Sequence, residues 1–274
     1  MTNLLTVFLT IIGIAFTSIV HAQTEETITL QTETCDIEGT LLVPDTNTSI
    51  PIAIIIAGSG PTDRNCNNPM MTNNAYKLLA EKLAENNIAS LRYDKRGVGK
   101  SSNNTIVEAD LRFDHYINDA LEWVNKIDAD TRFNEIIIIG HSEGSTIGMI
   151  VSQIESVDRF ISVAGSGIPV DELLKDQLKS QPAGIYDLAT PIIDSLKQGH
   201  TVKNVPAQLS MLFRQSVQPY LISWMKIDPC KEISKIKKPV LIVQGTADIQ
   251  VDVKQAELLK KANASADLVL VEGM

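Results

Sequence analysis

The sequence predicts an α/β protein: a mostly parallel, doubly wound sheet with a helical cap inserted toward its C-terminal end. Three observations carry this. Short apolar runs bounded by glycine, proline or asparagine alternate with segments of helical spacing, the rhythm of a parallel sheet covered on both faces. Runs such as PIAIII (51–56) and EIIIIG (135–140) are apolar almost throughout rather than at alternate positions, which suits strands buried on both sides. The rhythm lapses over residues 168–236, which read as helical and mixed in polarity, and KPVLIVQG (238–245) restores it.

In chain order, TITLQTETCDIEGTLLVP (27–44) reads as two strands with a turn near Cys35–Asp36, and PIAIIIAGSG (51–60) as a buried strand ending in glycines. Residues 71–87 have helical spacing at Tyr76, Leu79 and Leu83, with Asn86–Asn87 as the stop. A strand follows at 88–94, then a helix at 112–127 with Tyr116, Ala120 and Val124 on one stripe. Residues 135–140 are a strand, 142–154 a helix and 160–165 the sixth strand, after which the cap of 168–236 is inserted. A helix at 254–263 and a last strand at 266–273 complete a core formed by 23–167 and 237–274.

The 274 residues are 44% hydrophobic and 21% charged, with a net charge of −9. That is ordinary globular composition, long enough for a large core, and no basic stripe points to a nucleic-acid partner. Residues 1–22 have the pattern of a secretory signal, an apolar stretch from Leu4 to Val20 followed by Val20-His21-Ala22 as the cleavage site. The expectation is therefore an exported protein, periplasmic or secreted, with no stable membrane span after cleavage. An uncleaved anchor is the alternative. In such a compartment one pair among Cys35, Cys66 and Cys230 can be bridged, and the sequence does not choose which.

The chemistry is concentrated at GHSEG (140–144), which falls between a strand and a helix. Gly-x-Ser-x-Gly in that setting is a nucleophile elbow, whose tight turn lifts the Ser142 hydroxyl above the sheet and needs small residues at Gly140 and Gly144. The Glu143 N–H opens a helix and points toward a developing oxyanion. A second donor is expected from AGSGPTDRNCN (57–67), with the N–H of Ser59 as the choice and Gly60 as the alternative. A dinucleotide-binding reading of Gly58-Ser59-Gly60 fails because Pro61-Thr62-Asp63 follows. Asp248 comes in the loop just after QG closes a strand, where a carboxylate can orient an imidazole. Arg92, Asp94 and Arg96 in RYDKRGVGKS either bind a substrate carboxylate or brace the loop by ion pairs, and bracing is preferred.

These residues give the chain a resemblance to the α/β-hydrolase superfamily across 25–273. Through GSGPTDRN (58–65), ASLRYDKRGVGKS (89–101), GHSEG and GTADIQV (245–251) it looks like bacterial esterases related to the serine aminopeptidase-like hydrolases. The resemblance implies a serine carboxylesterase with a helical cap, acting on short acyl esters of small molecules, without metal or cofactor. Met211, Phe213, Trp224 and Met225 then either line an acyl pocket or form the cap's core.

The family pattern also implies a histidine just after the last strand, and none stands there. His115 reads as packing or surface, His141 as structural, and His200 as a cap residue that would have to swing inward. The base is therefore expected just past Met274, the chain being read as truncated. The competing readings are an inactive, ligand-binding relative, or a peptidase or thioesterase on the same scaffold.

Overall fold

The computed structural model describes residues 23–103 and 105–274, so the signal expected at 1–22 lies outside the described residues. Eight strands form one sheet in the order β1-β2-β4-β3-β5-β6-β7-β8. They are β1 (Gln23–Gln31), β2 (Asp36–Pro44), β3 (Ile50–Ile56), β4 (Ala89–Tyr93), β5 (Phe133–His141), β6 (Arg159–Val163), β7 (Val240–Gly245) and β8 (Asp267–Val271). β2 runs antiparallel to β1 and to β4, and all other neighbours are parallel. The helices between strands are α1 (Ala75–Ala84), α2 (Phe113–Asp128), α3 (Glu143–Val151) and α9 (Val253–Ala262).

Two-residue periodicity splits each apolar run between the two faces. Ile52, Ile54, Ile56, Ile136 and Ile138 face α2 and α3, while Ala53, Ile55, Ile137 and Ile139 face α1. Both sets are buried. On the α1 side, cover falls off beyond β5: Ile161, Val163, Leu241 and Val243 are half-buried, and Val269 is 46% exposed.

Two helix faces differ from expectation. α1 buries Tyr76, Ala80 and Ala84 rather than Tyr76, Leu79 and Leu83, because the small side chains at i and i+4 let the helix lie close on the sheet, with the leucines flanking it. It also starts later, since Asn74 is left-handed (φ 54°) and the Asn67 side chain accepts the Asn73 and Asn74 N–H groups, tying that stretch to the preceding loop. On α2 the stripe centres on Phe113, Ala120, Trp123 and Val124, with Tyr116 at its edge donating to the Arg96 carbonyl. The possible disulfide is not formed: Cys35, Cys66 and Cys230 are free thiols.

Between β6 and β7 lie α4 (Val170–Lys179), α5 (Ile185–Lys197), α6 (Ser210–Phe213), α7 (Gln218–Trp224) and α8 (Pro229–Lys235). α4 to α7 have a core of their own, built on Leu178, Ile192, Ile193, Leu196, Phe213 and Met225. α8 instead joins the main layer: Ile233 is in the sheet's core, and the Asn263 amide donates to its carbonyl at 3.0 Å. α7 is fastened to α2 by a Phe113–Trp224 stack (5.3 Å between centroids, 4° between planes) and by the Phe113 N–H donating to Ser223 Oγ at 2.8 Å. With α7 held there, α4, α6 and α7 close over the loops that leave the strand ends.

Candidate active site

In an open parallel sheet, the crevice outside the strand C-termini is widest where the winding direction reverses. Here that point lies between β3 and β5, whose last pair is Ile56 with Gly140. The two loops expected to carry the site therefore leave the sheet side by side.

Ser142 has φ 53° and ψ −116°, a conformation that costs a non-glycine residue of order 1–3 kcal/mol. Its N–H donates to the Val163 carbonyl of β6 at 2.9 Å, which holds the turn in place. A Cβ on Gly140 would lie 2.3 Å from the Gly144 carbonyl oxygen, and one on Gly144 would lie 2.2 Å from that of Ile56. Backbone against backbone cannot give way, so both positions require glycine.

The glycine loop packs directly on this turn. A Cβ on Gly58 would stand 3.3 Å from Ser142 Cβ. The Gly58 N–H donates to Tyr76 Oη at 3.0 Å, and the same oxygen lies 2.9 Å from His141 Nδ1. Tyr76 Oη thus joins the Gly58 N–H to the His141 ring, one neutral phenol shared between two loops. Burial supports this neutral arrangement: it raises the Tyr76 phenol well above the usual range and lowers the His141 pKa, with the Asp248 charge opposing the latter. On the other side of the loop, Lys95 Nζ donates to the Gly58 carbonyl at 2.5 Å and to Glu143 Oε1 at 3.1 Å. Lys95 and Glu143 are both buried, so one ion pair joins the glycine loop to the first residue of α3. Sequence reasoning missed Tyr76 and Lys95 as parts of the site. Lys95 stood inside a segment singled out for its arginines, and Tyr76 looked like any core tyrosine on a helix.

Ser59, Ser142 and Glu143 line one cavity of about 480 Å³, with Gly60 beside Ser59. α7 supplies Tyr220 and Trp224, α4 supplies Leu174 and Gln177, and the loop after β7 supplies Gln250 and Val251. Of the four cap residues left open between pocket and core, Met211 and Trp224 reach the cavity, whereas Phe213 and Met225 are buried in the cap core. Asp248 sits in the loop that forms this wall. One of its oxygens accepts the Gln250 and Val251 N–H groups at 2.8 and 3.0 Å. The other lies 3.4 Å from the amide nitrogen of buried Gln244.

No imidazole among the described residues joins Ser142 to Asp248. His141 is engaged with Tyr76, His115 accepts the Arg112 N–H, and His200 is exposed in the cap and does not line the cavity. The segment after β8 nevertheless returns to the Asp248 loop. Gly273 N–H donates to Thr246 Oγ1 at 2.9 Å, and Ala247 N–H donates to the Met274 carbonyl at 2.9 Å.

The charged segment of β4 braces loops. Arg92 pairs with Glu25 at 2.5 Å and donates to Asn65. Arg96 forms a two-pronged pair with Asp119, and the Asp94 carboxylate accepts the Arg64 and Lys100 N–H groups. These groups are buried, and their ion pairs and hydrogen bonds tie neighbouring loops together.

Comparison with known proteins agrees with this layout. A family model described as serine aminopeptidase, S33, matches residues 70–211. Esterase EstD of Thermotoga maritima is 25% identical over 227 residues, 81% of this chain and 52% of that protein, so the chain spans about half the length of the curated relative it matches. Est1E from Butyrivibrio proteoclasticus superposes with a TM-score of 0.62 at 18% identity, covering 90% of this chain and 88% of that one. The Pyrococcus furiosus esterase Pf2001 does so with 0.61 at 17% identity, covering 91% and 83%. With an elbow serine at the switch point, a glycine loop packed on it and helices over both, the chain belongs to the serine aminopeptidase, S33, family of α/β hydrolases.

Proposed function

We propose that the protein is a carboxylesterase working by acyl transfer through Ser142. The observation that carries this is the strained Ser142 turn, locked between two glycines, packed against Gly58 and lining one capped cavity with Ser59 and Gly60. In this reading Ser142 Oγ attacks the ester carbonyl, and the N–H groups of Glu143 and Ser59 hold the oxyanion. Asp248 orients a histidine that takes the serine proton and passes it to the leaving alcohol, after which water releases the acyl group. The place for that imidazole is beside Asp248, where the segment after β8 returns and the Met274 carbonyl accepts the Ala247 N–H. Without a base the serine is a weak nucleophile, and turnover falls by about a million-fold, roughly 8 kcal/mol of barrier.

Ester rather than aminopeptide cleavage is favoured by charge. Glu143 is the one carboxylate among the described residues lining the cavity, and Lys95 neutralises it, so no free acid is left to hold a substrate ammonium. The protein is further proposed to be exported after cleavage at Ala22.

The test uses the protein from its natural source, at its natural length. Fluorophosphonate labelling of wild type but not of Ser142→Ala, with p-nitrophenyl acetate turned over faster than an aminoacyl anilide or an acyl thioester, is the expected result. Faster anilide turnover overturns the ester assignment. No labelling and no turnover would make the protein a binding relative. Intact mass reports the leader cleavage and the natural length of the chain.

A further inference from the structure

The cap carries a second apolar cavity, of about 530 Å³, outside the one that holds Ser142. The two share a wall of three side chains: Leu174 and Gln177 from α4 and Leu212 from α6. Beyond that wall the space is lined by Leu178, Pro182, Ile185 and Leu209, with glutamines beside them and no charged side chain among the described residues that line it. It follows α4 from Leu174 to Leu178 and continues along the turn after it from Gln181 to Ala183, the helical part alone running about 6 Å at 1.5 Å per residue.

The wall is not uniform. Gln177 is fixed, because its amide donates to the Gln250 carbonyl at 3.1 Å, across the mouth to the Asp248 loop. Leu212 is 43% exposed and sits on a helix of four residues. With no polar contact to hold it, this side chain is the part of the shared wall freest to change rotamer.

We propose that this groove takes the tail of a long acyl chain, so that the substrates include esters of medium- and long-chain fatty acids. The inference rests on the carboxylesterase reading and extends it. The serine cavity accommodates the carbonyl and the first methylenes of the acyl group, and the tail passes under Leu212 and lies along α4. An uncharged apolar trough offers no partner to an ionic or strongly polar group, and its only shared wall with the reacting serine fixes which end of the ligand enters it. A short acyl group never reaches the groove, so the same serine also serves acetyl esters.

Ala183 lines the groove, lies outside the serine cavity and is exposed, so Ala183→Trp fills the trough without touching the core. Two readouts are made on the natural-length protein: kcat/KM for p-nitrophenyl acetate and dodecanoate, and the dissociation constant of free dodecanoate. Each methylene kept out of the groove is expected to cost about two- to fourfold, so dodecanoate turnover and binding both fall about tenfold or more, with acetate turnover changed by less than about twofold. Leu212→Ala, which opens the wall, raises the dodecanoate-to-acetate ratio. Equal loss on both esters, or unchanged dodecanoate binding in Ala183→Trp, overturns the groove assignment. Absence of acetate turnover together with weakened dodecanoate binding in Ala183→Trp would instead sink the esterase reading and leave the groove standing.

Discussion

Tyr76→Phe removes a single oxygen that two strand-end loops share. In the wild type that oxygen accepts the Gly58 N–H at 3.0 Å and lies 2.9 Å from His141 Nδ1. Phenylalanine fills the same ring space, so the packing of α1 on the sheet is kept. What is lost is the partner of two polar groups, the buried Gly58 N–H and the largely buried His141 ring nitrogen. An unsatisfied buried group costs about 1–3 kcal/mol, and some of that is recovered if the loop shifts to admit water. The expected loss is about 2–4 kcal/mol, which lowers Tm by roughly 5–15 °C in a domain of this size. The catalytic effect follows from the loop's position, because Ser59 is the next residue and its N–H is the proposed second oxyanion donor. Complete loss of such a donor costs about a hundred- to a thousandfold in kcat. A loop displaced rather than deleted should cost about ten- to a hundredfold, with KM held within about twofold because the acyl wall is untouched. Thermal unfolding and steady-state kinetics on p-nitrophenyl acetate measure both quantities. A variant that melts and turns over like the wild type refutes the view that this hydroxyl holds the loop. One that melts lower but keeps its kcat refutes the link from loop to oxyanion.

Other substitutions test the remaining parts of the site. Ser142→Gly relieves the φ of 53° and should raise stability by about 1 kcal/mol net of the glycine's extra freedom when unfolded, while abolishing phosphonate labelling; a lower Tm contradicts the strain argument. Gly144→Ala drives a Cβ to 2.2 Å from the Ile56 carbonyl oxygen and is expected to cost about 3 kcal/mol or more, seen as lost soluble yield or a collapsed Tm. Lys95→Met leaves Glu143 buried without its partner, a loss of about 3–5 kcal/mol by denaturant titration that Lys95→Met/Glu143→Gln should largely restore. The His141 pKa is lowered in the fold, chiefly by burial, from 6.5. The unfolded chain therefore binds the proton first, and stability is full above about pH 6.5 and declines as the pH falls toward the folded-state value. The wild type should accordingly lose more Tm between about pH 7.5 and about pH 5.5 than His141→Asn, which keeps an acceptor for Tyr76; parallel curves would show that this ring does not titrate as argued.

Local patterns determined much of this protein. The uniformly apolar runs at 51–56 and 135–140 and the GHSEG turn between strand and helix needed no distant information, because strand burial, elbow geometry and glycine spacing are properties of a few consecutive residues. That is why the α/β-hydrolase fold was legible, together with the placement of Ser142 after a strand and of Asp248 in a loop. Tertiary structure decided what depends on pairing across the chain. It put Gly58 against Ser142 through the register of β3 with β5, and it made Tyr76 and Lys95, which lie 18 and 37 residues from Gly58, the supports of one loop. It also separated Met211 and Trp224, in the cavity, from Phe213 and Met225, in the cap core. All four are large apolar residues in helical context, and hydrophobicity alone gives such residues the same reason to be buried. Which space they enclose is set by how the cap helices cross and by where α7 is stacked on α2, and no local pattern encodes that.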